Sequence, residues 1–260
     1  MSSNILLLDI HNFEPKYKSD TLYGYTGKGG ENLKKLLTET SNGYCMYCYS
    51  RILVDRKNFG SLEHSIEKIN CNKLVNCSVN ISIACSKCNL SFKKQGEKHR
   101  KLSEEEIKEF ERLAECSADC INKCSKYDDL RKSYAKKLGG EIILQPFGAK
   151  GKDGKKDLSI QYDVLNQKFI PSTTYQYDKE ERQFIERHIN RFNLNDSKYR
   201  TKEFVVFIED VIEYKFIPKK NRYCNLVVEL FIEKLEKMPF EKALKLCEIV
   251  YGQLVINGKI

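Results

Sequence analysis

Tryptophan is absent from this 260-residue chain, and proline occurs only five times. With 41% hydrophobic and 31% charged residues and no biased tract, the composition excludes a proline-rich or wholly disordered chain. Long apolar runs are also missing. Near the start only Ile5 to Leu8 is apolar, without a basic flank, so neither a secretory signal nor a membrane span is expected. The expectation is a cytoplasmic protein without a membrane partner, long enough to bury a full core in one or two domains.

Cysteine, by contrast, is plentiful: there are eleven. In a reducing compartment, clustered cysteines indicate metal and scattered ones indicate buried thiols. Cys45-x-x-Cys48 and Cys85-x-x-Cys88 can supply four thiolates to one tetrahedral structural zinc. Cys116, Cys120 and Cys124 recur every four residues, which predicts a stripe along one helix. Such a stripe could hold a second metal or sense redox state, but small buried side chains are the better reading. Cys224 and Cys247 read as core residues, and Cys71 and Cys77 fall in a loop.

The net charge of +9 is unevenly placed. Between Cys45 and Lys101 there are eleven Lys/Arg against four Asp/Glu, so the cysteine module holds most of the excess. Basic charge gathered on one module favours a polyanionic partner over a merely solvated surface. Lys87, Lys93, Lys94, Lys98, Arg100 and Lys101 are the candidate phosphate contacts, giving affinity without sequence choice.

Periodicity places the elements. Residues 1 to 30 read as irregular, ending in the glycine-rich stretch Gly24 to Gly30, and a helix is expected from about Glu31 to Thr40 with Gly43 beyond its end. Ser61 to Ile66 and Val79 to Ile83 alternate as strands, and a helical pattern follows from Cys85 to Lys94. Ser103 with Glu106 is a capping box opening a long helix or helix pair to about Leu138. A β-hairpin is expected near 141–177, then three or four helices from Asp178. The fold class is therefore α+β, mainly helical: an arm and lead-in helix over 1–40, a zinc-stapled ββα module over 41–101, and a mostly helical region over 102–260.

Within that module stand Tyr44-Cys45-x-Tyr47-Cys48, then Leu62-Glu63-His64, then Asn80-Ile-Ser-Ile-Ala-Cys85, then Ser86-Lys87-Cys88-Asn89. This resembles the four-cysteine, ββα-metal branch of the HNH endonuclease superfamily, over about a quarter of the chain. The resemblance implies His64 as the general base that takes a proton from an attacking water. It implies Glu63 and Asn89 as ligands of a catalytic magnesium or manganese ion, and Asn80 as the residue that ties the loop backbone and aims His64. Adjacent strand residues point to opposite faces, so Glu63 and His64 can serve one centre only if the strand ends or bulges there. The sequence departs from the family where a proline usually follows three residues after the histidine, here Glu67, and in a lysine displaced by one to Lys93.

Ile189-Asn-Arg-Phe-Asn193-Leu194-Asn195, with Arg200 beyond, resembles the tail of the PtuB-like HNH effectors of Septu and retron-associated anti-phage systems. That implies an ABC/SMC-like ATPase partner; the expected target remains nucleic acid, DNA favoured over RNA. Two other functions compete with this one: a zinc-stapled, non-catalytic adaptor for nucleic acid, and a stand-alone restriction or homing nuclease.

Overall fold

The computed structural model describes residues 5–114, 120–196 and 198–258. With 44% helix and 12% strand, it is an α+β, mainly helical protein. No helix among the described residues is long and apolar enough to cross a membrane.

The N-terminal arm is more ordered than its sequence suggests. Leu7–Ile10 forms β1, which pairs antiparallel with β6 (Ile160–Asp163). β6 in turn pairs with β7 (Lys168–Pro171), completing a three-stranded sheet. The hairpin expected near 141–177 is this β6–β7 pair, and the arm adds its third strand. Alternation over four residues is too short to separate such an edge strand from loop, and only its partner fixes it.

The first helix, α1 (Gly27–Thr40), begins four residues before the expected position, inside the glycine stretch. Gly29 and Gly30 are required there. A Cβ on Gly30 would lie 2.8 Å from the Tyr25 carbonyl oxygen, and one on Gly29 would lie 3.0 Å from the Gly24 nitrogen. Glycine thus lets the first turn of α1 pack onto the chain that leads into it. Gly43, at φ +75°, turns the chain into the first cysteine knuckle.

After a two-residue ladder of β2 (Leu53–Val54) with β3 (Lys57–Asn58), the strands β4 (Ser61–His64) and β5 (Ile81–Ala84) pair antiparallel, with His64 opposite Ile81. A helical turn, Cys88–Phe92, follows. Strand, strand and helical turn follow in the expected order with shorter bounds: β4 ends at His64 and not Ile66, Ser78–Asn80 is a helical turn before β5, and the last helical segment is only Cys88–Phe92.

The capping box at Ser103 and Glu106 opens α2 (Glu104–Leu113), and α3 (Ser125–Ala135) follows. The expected cysteine stripe does not form over the described residues. Cys120 lies outside any helix, and its carbonyl accepts the Ser78 amide at 3.0 Å. Cys124 is the N-cap of α3, its sulfur accepting the Tyr127 amide. Cys116 lies outside the described residues. A period of four cannot distinguish a helix interior from residues capping its start.

Four helices complete the chain: α4 (Lys179–Arg191), α5 (Lys198–Tyr214), α6 (Leu226–Leu235) and α7 (Phe240–Ile256). They share one core with the cysteine module. Tyr47 stacks on Phe192 with ring centroids 5.0 Å apart. Glu229 of α6 accepts from Tyr44 at 2.6 Å and from Arg51 at 3.0 Å. Arg200 of α5 donates to the Cys48 carbonyl at 3.0 Å and to that of Leu194 at 2.7 Å.

Candidate active site and metal centre

The two knuckles meet at the end of the β4–β5 hairpin. The Cys45 amide donates to the Ser50 carbonyl and the Tyr49 amide to that of Cys45, folding the first knuckle into a tight turn. The Met46 amide then binds the Ile83 carbonyl and fixes the turn to β5. In the second knuckle the Cys88 amide points at Cys85 Sγ at 3.5 Å. The sulfurs of Cys45, Cys48, Cys85 and Cys88 all lie within 4.8 Å of one another, and Cys48 and Cys85 are 3.7 Å apart. Tetrahedral zinc with Zn–S bonds of about 2.3 Å needs sulfurs roughly 3.8 Å apart, so the four could hold such an ion. Hydrogen bonds from neighbouring thiols, Cys45 foremost, lower Cys48 and Cys85, while burial raises Cys45 and hydrogen bonds from the other thiols raise Cys88, so binding a metal at this cluster releases protons.

The candidate catalytic residues divide between the two faces of β4. On one face, Ser61 and Glu63 meet the helical turn that follows Cys88. Asn89 donates to Ser61 Oγ at 2.9 Å, and Lys93, one turn later, donates to Glu63 Oε1 at 2.8 Å. On the other face, His64 packs against Tyr25, ring centroids 4.3 Å apart, and its Nε2 lies 2.9 Å from the Val75 carbonyl oxygen. The side chains of Glu63 and His64 therefore diverge, each with its own partners.

Asn80 ties the loop between them. Its amide oxygen accepts the Ile66 amide and the Tyr127 hydroxyl, and its nitrogen donates to the Ile66 carbonyl, all at 2.9 Å. The Asn80 carbonyl takes the Ser65 amide at 2.7 Å, immediately after His64. Asn80 is wholly buried and touches backbone, which suits a positioning role.

A carbonyl can only accept, so His64 Nε2 carries the proton and Nδ1 keeps its lone pair. Burial lowers the His64 pKa, with the Val75 bond opposing in part, so the ring is neutral near pH 7. That is the tautomer and charge a general base needs. His64 is only 5% exposed, with the Tyr25 ring packed on its imidazole.

Glu63 belongs to a buried ion network. Lys93 reaches Glu63 and lies 3.7 Å from Glu67, and Glu67 Oε1 also takes Arg100 at 2.8 Å and the Tyr134 hydroxyl at 2.7 Å. Burial pushes the Glu63 carboxyl up to about 7, against the pull of Lys93. Glu67 is held low, its burial outweighed by Lys93 and Arg100. Those two carboxylates likewise hold the Lys93 ammonium charged, though burial opposes it. Lys93 (2% exposed) and Arg100 (0%) are thus interior residues, while Lys87, Lys94, Lys98 and Lys101 are exposed.

The donors fit a divalent cation sparingly. Glu63 Oε2 is buried and has no hydrogen-bond partner among the described residues, an acceptor suited to a hard cation. Asn89 shares its strand face through Ser61. One carboxylate and one amide leave the remaining positions to water and phosphate oxygens, the usual style of magnesium.

Sequence reasoning missed Tyr25, the Val75 carbonyl and the Glu67–Arg100–Tyr134 cluster. Glu67 stood out only as a departure from the family's proline, and the glycine stretch was the only mark of Tyr25's neighbourhood. Comparison of the chain with family models, curated proteins and solved structures finds no match.

Proposed function

We propose that the protein is a metal-dependent HNH endonuclease that hydrolyses phosphodiester bonds. The observation that carries this reading is His64 at the end of β4, inside a four-cysteine ββα unit, with Nε2–H held on Val75 and Nδ1 left as the acceptor. In the proposed step Nδ1 takes a proton from water as its oxygen bonds to phosphorus. The bond from phosphorus to the leaving oxygen breaks, and that oxygen takes a proton from solvent. Glu63 Oε2 and Asn89 would hold the divalent ion, which when bound supplies positive charge to the phosphate and the leaving oxygen. Asn80 holds the loop that sets His64, and the zinc-sized cysteine site holds strand and helical turn in register.

The exposed lysines at 87, 94, 98 and 101 would meet the nucleic-acid backbone. The tail resemblance adds the biological reading: an effector nuclease of an anti-phage system, cytoplasmic and acting with an ABC/SMC-like ATPase. In that tail Asn195 clamps the Phe169 backbone and Arg200 clamps the Cys48 carbonyl, so the shared phrase joins the helical region to the nuclease unit. One observation favours the non-catalytic adaptor instead: His64 and Glu63 are both buried, Glu63 against a lysine.

The two readings are separated by incubating the purified, zinc-loaded protein with DNA and with RNA, with magnesium or manganese, alone and with the ATPase. Cleavage under any of these conditions supports the nuclease. Tight nucleic-acid binding with no cleavage in all of them supports the adaptor.

A further inference from the structure

The nuclease reading assigns no role to Tyr25, whose ring packs on the His64 imidazole. Its ring is half-buried and tilted 46° to the imidazole. The Lys68 ammonium lies 5.8 Å from the Tyr25 ring centroid, and both Lys68 and its neighbour Ile69 are exposed.

The backbone at Tyr25 is fixed. Its amide donates to Asn76 Oδ1 at 3.3 Å, and its carbonyl packs against Gly30 so closely that a Cβ would not fit. The side chain is held differently. Among the described residues its hydroxyl makes no hydrogen bond, so packing alone holds the ring over His64, against the imidazole and the neighbouring core. Turning the ring off the imidazole therefore breaks no hydrogen bond of the Tyr25 side chain. Such ring contacts are no stronger than the stack of a nucleobase on an aromatic side chain.

The surroundings suit a nucleotide. Lys68 supplies a cation, and α1, which starts two residues after Tyr25, has no acidic residue in its first turn, although its Lys28 pairs with Glu31 at 3.5 Å. An unpaired base offers a free π-face to a tyrosine, whereas a base in a duplex is covered by its neighbours unless it is flipped out.

We infer that Tyr25 is a substrate-contacting residue that closes His64 in the free protein and opens it by exchanging its tilted contact with the imidazole for a stack on an unpaired base, so that the substrate class is single-stranded nucleic acid. The inference deepens the nuclease reading, but its test does not depend on cleavage.

Because the chain has no tryptophan, Tyr25→Trp places a single indole at this position. The zinc-loaded full chain carrying Tyr25→Trp is titrated with a phosphorothioate single strand and with the duplex of the same sequence. The expected result is indole quenching by the single strand at about tenfold lower concentration than by the duplex. Tyr25→Ala in the otherwise native chain should weaken single-strand binding about tenfold and speed labelling of His64 by diethyl pyrocarbonate, located by peptide mass spectrometry. Tyr25→Phe should bind as the native chain does, which separates the ring from the fold. Quenching at equal concentrations of single strand and duplex, or unchanged affinity in Tyr25→Ala, overturns the inference. Quenching by the single strand without cleavage under any condition would leave the inference standing and remove the nuclease reading.

Discussion

The Lys93 ammonium lies 2.8 Å from Glu63 Oε1, both side chains buried, across thirty residues of sequence. The pair joins the helical turn after Cys88 to β4, and Glu67 with Arg100 extends it inward. Removing Lys93 leaves Glu63 buried without its cation, so Lys93→Ala should lose up to about 3–5 kcal/mol of stability in urea unfolding at alkaline pH, and less near neutrality, where Glu63, already pushed up to about 7, takes a proton. The double variant Glu63→Met/Lys93→Met should recover most of that loss, because both charges leave together. A double-mutant cycle with no coupling between the two positions would show that the pair is not formed.

The six candidate phosphate contacts should separate into two groups. Lys94→Ala/Lys98→Ala/Lys101→Ala removes exposed charges, so it should weaken nucleic-acid binding at low salt and flatten the salt dependence by about one unit of slope per lost phosphate contact. Its unfolding midpoint should stay close to that of the native chain. Arg100→Ala should do the reverse, lowering stability by about 3 kcal/mol or more as Glu67 loses its partner. Equal effects of the two variants on folding would contradict the burial of Arg100.

Much of this site was legible in the sequence, and the limits have physical causes. The two CxxC pairs fix a cluster because thiolate ligation needs four sulfurs at short loop spacings, and the four sulfurs do converge. The strand at Ser61 and the capping box at Ser103 are local patterns, and both are present. β1 was not legible, because four residues acquire strand character only by pairing with a segment some 150 residues away. Nor was the burial of Lys93 and Arg100. A lysine in a basic run reads as surface unless its carboxylate partners are known, and those lie on β4 and in the loop after it. Cys124 gave the right residue in the wrong place, a helix cap in a spacing that suggested a helix interior.

Removal of zinc should unfold more than the knuckle. Cys45, Cys48 and Cys88 lie in the same core as Phe204 and Phe231, and Arg200 of α5 holds the Cys48 carbonyl. Metal analysis should give one zinc per chain from the four-cysteine site. A strong chelator or Cys88→Ser should abolish the cooperative thermal transition of the whole chain. A chelated protein melting at the native temperature would contradict a structural metal at this cluster.

Acid should destabilise the fold through His188, which is 1% exposed on α4 and accepts the Ile143 amide on Nδ1 at 3.0 Å. Burial lowers its pKa from 6.5 to about 3. Above pH 6.5 the ring is neutral both folded and unfolded, so it adds no pH dependence. Between 6.5 and about 3 the unfolded chain binds a proton that the folded chain refuses, and stability falls by about 1.4 kcal/mol per pH unit. His188→Asn retains an acceptor for Ile143 and cannot titrate. Urea stability measured at pH 6 and pH 5 should therefore fall less in the variant, by roughly that amount. Identical slopes would show that His188 protonates in place.

The central claim is that His64 accepts the proton of the attacking water. Its most direct test is the cleavage rate of the zinc-loaded full chain, with any ATPase partner it requires, on single-stranded and plasmid DNA across a magnesium titration, native against His64→Ala. The account predicts magnesium-dependent cleavage by the native chain and a loss of about 10²–10⁴-fold in His64→Ala, with zinc content and unfolding midpoint unchanged. Cleavage by His64→Ala at the native rate would contradict it.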